Sequence, residues 1–70
     1  MQEIIQFLET YTEVEGIEFI EETENGYFFI GFDELDESEE EIEIEVTFTS
    51  HVYFNQVEQD LYLPFNVWSL

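Results

Sequence analysis

The chain has 70 residues, of which 19 are Asp or Glu, none is Lys or Arg and one is His, giving a formal charge of −19. That length allows one domain. A hydrophobic fraction of 44% with 13 aromatic residues excludes a solvated acidic tail. The absence of cysteine excludes a disulfide framework and thiolate metal sites.

Residues 2–14 read as an amphipathic helix. Ile4, Ile5, Leu8 and Tyr11 recur at three- and four-residue spacing, Gln2, Gln6, Glu9 and Glu13 fall opposite, and Gly16 is the expected stop, with Thr10, Tyr11 and Thr12 weakening the last turn so that an earlier end is open. Two strands are expected next, at 17–24 and 27–33, joined by Asn25-Gly26 as a two-residue turn of the kind that needs positive φ angles. Pairing Glu24 with Tyr27 would put Ile17, Phe19, Phe28, Ile30 and Phe32 on the core face. Glu18, Ile20, Glu22, Glu24, Tyr27 and Phe29 would then share the other. Residues 33–41 carry seven acids in nine positions and read as an acidic loop. Beyond it, Ile42, Ile44, Val46 and Phe48 alternate with Glu43, Glu45, Thr47 and Thr49, the clearest half-buried strand in the chain. A further strand is expected at 52–57. The tail from 61 to 68 reads as an extended edge or covering segment because it contains Pro64. The expected fold is α+β, one N-terminal helix packed on an antiparallel sheet of four or five strands.

The charge sets the functional reading. With no Lys or Arg, no internal salt bridge is expected, and mutual repulsion opposes folding, so something other than stability favours the composition. The same field repels nucleic acid and anionic membranes and attracts basic surfaces. No basic segment followed by an apolar run opens the chain, and its longest apolar run, Tyr27-Phe28-Phe29-Ile30, is far short of a membrane span. A cytoplasmic location is the expectation. Salt adaptation would favour Asp and keep some Arg, whereas here Glu outnumbers Asp by 16 to 3.

Glu41, Glu43 and Glu45 would share one face of a strand, about 6.6–6.8 Å apart, a step similar to the spacing of successive phosphates. Glu18, Glu22 and Glu24 and the loop acids Asp33, Glu34, Asp36, Glu37, Glu39 and Glu40 extend the pattern. A carboxylate offers Arg the same anionic, bidentate acceptor that a phosphate does. Tight binding also needs desolvated anchors, for which Tyr27 and Phe29 are the first candidates, with Tyr53, Tyr62 and Trp68 behind them. The loop lacks calcium-site spacing, since Leu35 and Ser38 fall where an EF-hand needs a ligand and a glycine. No metal or cofactor is expected. His51 has no expected nucleophile beside it, and catalysis is not expected either.

In size, in the absence of cations and in the order of an N-terminal helix (Gln2-Glu3-Ile4-Ile5) before an acidic antiparallel sheet, the chain resembles the small DNA-mimic inhibitors of phages and mobile elements. These are anti-CRISPR, anti-restriction and uracil-DNA glycosylase inhibitor proteins. The resemblance implies a monomer or small homo-oligomer that binds a basic nucleic-acid-binding protein of the host, without binding nucleic acid or membrane itself. The alternative is an acidic adaptor or chaperone-like module that binds a basic protein away from its active site.

Overall fold

Ile4 and Leu8 stand one helical turn apart and are both fully buried, which fixes the face that the N-terminal helix turns to the rest of the chain. The computed structural model describes residues 1–36 and 39–69. Glu37 and Ser38, within the expected acidic loop, lie outside the described residues. Helix α1 spans Gln2–Tyr11 and stops before the expected boundary. Thr12 takes extended angles, and its backbone amide and hydroxyl both donate to the Leu8 carbonyl, at 2.9 and 2.6 Å. The β-branched threonine, not Gly16, therefore ends the helix.

Five strands follow: β1 (Val14–Glu22), β2 (Gly26–Asp33), β3 (Glu41–Thr47), β4 (His51–Phe54) and β5 (Val57–Tyr62). They form one antiparallel sheet in sequence order, a meander with α1 on one face, so the expected α+β arrangement is observed. The expected strand at 52–57 is instead broken by a hairpin. Asn55 and Gln56 have φ of 49° and 69°, the positive pair expected at Asn25-Gly26. The chain after β5 covers the core: Leu63 and Val67 are buried, and Val67 opens a short 3-10 turn.

The β1–β2 turn is one residue earlier than expected. The chain reverses over Glu24 and Asn25, Glu22 pairs with Tyr27, and the Thr23 amide donates to the Gly26 carbonyl at 2.7 Å. The Thr23 hydroxyl accepts from the Gly26 and Asn25 amides at 3.1 and 3.3 Å. That local capping competes with the glycine-centred turn. Moving the turn shifts both strands together and leaves Glu22 on the face of Tyr27. It is the extra residue Ile20, between Phe19 and Glu21 of β1, that sets Phe19 opposite Phe29, and the inward face of β2 is the reverse of that expected. Tyr27, Phe29 and Gly31 point inward, opposite Val46, Ile44 and Ile42, and Phe28, Ile30 and Phe32 point outward.

Phe29, Ile44, Val46 and Val52 are fully buried against Ile4 and Leu8. Phe19 and Phe48 bracket Tyr27 edge-on, with centroids 5.9 and 5.4 Å away. Two glycines are needed for this packing. A Cβ at Gly31 would stand 2.6 Å from Val14 Cγ1, and one at Gly26 would collide with the Val46 carbonyl and Thr47 Cα on the neighbouring strand. Gly26→Ala should destabilise the fold by about 2–3 kcal/mol, the upper end of overpacking costs, because the obstacle is backbone. Urea unfolding measures this, and a loss under about 0.5 kcal/mol, the size of a neutral surface change, would show that β2 and β3 do not approach as closely as described.

Candidate nucleic-acid-mimic face

Strand β1 departs from simple alternation at two bulges. Between Glu15 and Glu18, Gly16 and Ile17 together oppose one residue of β2, and between Phe19 and Glu21, Ile20 is the extra residue. Gly16 has φ of +62°, the left-handed geometry of a bulge that starts on glycine. The bulges bring Glu15, Glu18 and Glu21, three residues apart in sequence, to one outward face. They pair with Phe32, Ile30 and Phe28 in turn. From the other side of β2, Phe32, Ile30 and Phe28 pair with Glu41, Glu43 and Glu45.

The outer face thus carries three rungs, each an apolar side chain between two glutamates. Glu15, Glu18, Glu21, Glu41 and Glu43 are exposed and Glu45 is half-buried. The rows stand on strands two positions apart, about 9–10 Å between backbones, and the row on β3 steps by about 6.6–6.8 Å. Sheet twist inclines one row to the other by about 40–50° over the two strand steps, so the rows wind across the face. Asn55 fixes the middle rung: its side-chain carbonyl accepts from the Glu43 amide at 2.9 Å, and its own amide donates to the Glu43 carbonyl at 2.7 Å. Tyr53 pairs with both Glu45 and Glu58, extending the rung of Phe28 to the far edge of the sheet.

The acidic loop closes one end of this face. Glu15, Phe32, Asp33, Glu34, Glu39 and Glu41 are among the residues lining an open concavity of about 1020 Å³. Asp33 holds its rim, accepting from the Leu35 amide at 2.9 Å, and the Glu34 amide donates to the Glu13 carbonyl at 2.9 Å. Among the described residues no group of His, Asp and Glu is arranged to hold a metal ion.

Of the residues singled out from sequence, Glu18, Glu41, Glu43 and Glu45 lie together on the outer face, and Asp33, Glu34, Asp36, Glu39 and Glu40 lie at its end. Glu22 pairs with Tyr27 and belongs to the margin of the opposite face, and Glu24 is in the β1–β2 turn. Glu37 is outside the described residues. Tyr27 and Phe29 are the main correction: they are 5% and 0% exposed, packed in the core, and offer a partner no surface. Glu15, Glu21, Phe28, Ile30 and Phe32 complete the face and were not anticipated there. Gly16, read from sequence as the stop of the helix, was the one signal of a bulge. Tyr62 and Trp68 are exposed, but Trp68 lies beyond the sheet.

Two contacts of a nitrogen base with a carboxylate are present among the described residues, where no internal salt bridge was expected. His51 Nδ1 lies 3.0 Å from Glu58 Oε1, and the amino terminus lies 3.5 Å from Glu3 Oε2. Glu3 is held below the usual carboxylate range by a hydrogen bond from its own backbone amide and by the charged amino terminus. Neither contact reaches the rows Glu15/Glu18/Glu21 and Glu41/Glu43/Glu45, whose mutual repulsion is screened by water and salt. The molecule measures 34 × 22 × 21 Å. At 0.01 M salt the Debye length of about 30 Å spans nearly all of it, and at 0.15 M about 8 Å reaches only neighbouring strands. The melting temperature should therefore rise by several degrees between those salt concentrations, since about 1 kcal/mol corresponds to 4–8 °C at this size. A flat or falling melting temperature would remove repulsion as a principal cost of this fold.

Comparison with protein families, with curated proteins and with solved structures returns no match. No helix among the described residues is long and apolar enough to cross a membrane.

Proposed function

We propose that this protein is a DNA mimic, an inhibitor that occupies the basic nucleic-acid-binding site of a host defence or repair protein such as a CRISPR-Cas effector, a restriction enzyme or a uracil-DNA glycosylase. The observation that carries this reading is the pair of glutamate rows, Glu15/Glu18/Glu21 and Glu41/Glu43/Glu45, held on either side of one strand in a chain without Lys or Arg. Both rows stand on hydrogen-bonded backbone, so little order has to be gained when cations meet them. Their separation at the backbone lies between the widths of the two grooves of B-DNA, about 6 and 12 Å. Arginines that grip phosphates find in each glutamate an anionic acceptor of two hydrogen bonds.

The test is competition. The protein is titrated into each of the three enzyme classes bound to labelled DNA, with DNA release and loss of cleavage or excision as readouts. Displacement at near-stoichiometric concentration is expected for the target class. Binding to a basic protein with its DNA still in place would identify an acidic adaptor instead. Association should also slow steeply with salt, because opposite surface charges steer the encounter only within the Debye length. An on-rate measured by stopped flow that stays constant from 0.05 to 0.5 M salt would remove electrostatic steering from this account.

A further inference from the structure

Phe28, Ile30 and Phe32 form a second apolar layer, separate from the core. They face away from α1, belong neither to the buried cluster nor to the side chains packed against it, and are only partly buried. A face that served by charge alone would have no use for three apolar residues in register along its centre. We infer that the outer face receives one cationic amphipathic α-helix of the partner, its apolar ridge on Phe28, Ile30 and Phe32 and its Arg or Lys side chains on the glutamate row to each side. This inference rests on the reading of the protein as a DNA mimic and narrows it to targets that present a helix to a DNA groove.

The dimensions and chemistry of the face select that occupant. The stripe runs about 13 Å from Phe28 to Phe32. At a rise of 1.5 Å per residue that is the length of about nine helical residues, enough for apolar anchors at i, i+3 or i+4, and i+7. A helix with its side chains is about 10–12 Å across, so one seated on the stripe brings residues on its two flanks over the two glutamate rows. Long cationic side chains suit those flanks, because their stems cover apolar surface while their charged ends reach outward. A second copy of this chain is the wrong partner: with no Lys or Arg it would set glutamate rows against glutamate rows. An extended peptide would find its hydrogen-bonding partners at the edge of a sheet rather than on its face.

A synthetic peptide of about 18 residues, long enough to form a helix, with Leu along one face and Arg on both flanks, provides the probe. A scrambled peptide of identical composition provides the control. The designed peptide should bind about tenfold or more tighter than the scramble by calorimetry, as a buried anchor row requires. It should also gain helicity on binding and shift the amide resonances of Phe28, Ile30 and Phe32. Ile30→Thr, which keeps a β-branched residue on the strand, should bring the two peptides to equal affinity without lowering the melting temperature appreciably. Equal binding of both peptides by the parent protein would overturn the inference. So would shifts centred on residues 33–40, or a concentration-dependent dimer that buries the stripe. Helix-selective binding without DNA displacement in the competition assay would defeat the DNA-mimic reading while leaving the helix site. DNA displacement without helix selectivity would do the reverse.

Discussion

Changing Glu41, Glu43 and Glu45 together to Gln should raise the concentration needed to displace DNA by roughly 30- to 700-fold. A hydrogen bond to a charged partner contributes about 1.5–3 kcal/mol, and if water recovers more than half of each loss the row still accounts for about 2–4 kcal/mol. The fold should survive. Glu41 and Glu43 are exposed and Glu45 is half-buried, all on the face away from α1, and Gln keeps their size while removing three like charges. The triple variant should melt no lower than the parent, so a loss of competition cannot be ascribed to unfolding. The second row gives the sharper comparison. Glu15→Gln, Glu18→Gln and Glu21→Gln combined should cost a similar amount if the partner's cations engage both sides of the stripe. A folded triple variant in β3 that displaces DNA as well as the parent would sink this placement of the mimic surface and move attention to the acidic loop at residues 33–40.

What was legible in the sequence was what depends on local periodicity. The pattern of Ile4, Ile5 and Leu8 located the helix and its buried side, and the alternation from Ile42 to Val46 located a strand with its three glutamates outward. What depends on long-range register was not legible. At Asn25-Gly26 the strongest hairpin dipeptide in the chain lost to the hydroxyl of Thr23, and the bulge at Ile20, invisible in the sequence, set Phe19 on the face of Phe29, so that Phe29 is in the core and Phe28 at the surface. Because Tyr27-Phe28-Phe29-Ile30 is apolar on both faces, composition alone could not tell which set was inside. The row on β1 was hidden for a different reason. Glu15, Glu18 and Glu21 recur at a spacing of three, which a regular strand would scatter to alternate faces, and only two bulges align them. The helix end at Thr12 is made by bonds to Leu8 one turn back, and the positive-φ pair Asn55-Gln56 is held by the bonds of Asn55 to Glu43 on β3.

The exchange of Phe28 and Phe29 makes a stability test with opposite expectations for adjacent residues of one type. Phe29 is fully buried between Ile44 on β3 and Phe19 on β1, whose ring centroid is 5.6 Å away. Phe29→Ala should cost about 3–5 kcal/mol, from the lost transfer energy together with the cavity left in a core too small to relax around it. At roughly 0.05–0.15 kcal/mol per residue the whole domain has only about 3.5–10 kcal/mol to lose, and its uncompensated charge places it toward the lower end. The variant should therefore be largely unfolded at low salt, with loss of the near-ultraviolet signal and of amide protection. Phe28 stands on the outer face between Glu21 and Glu45, partly in water already. Phe28→Thr keeps a strand-forming residue there and should cost on the order of 1 kcal/mol or less. Urea titrations of the two variants beside the parent measure the difference directly. Comparable losses at both positions, or a greater loss at Phe28, would dismantle the outer face, because Phe28, Ile30 and Phe32 would then belong to the core and the two glutamate rows would no longer flank a common stripe.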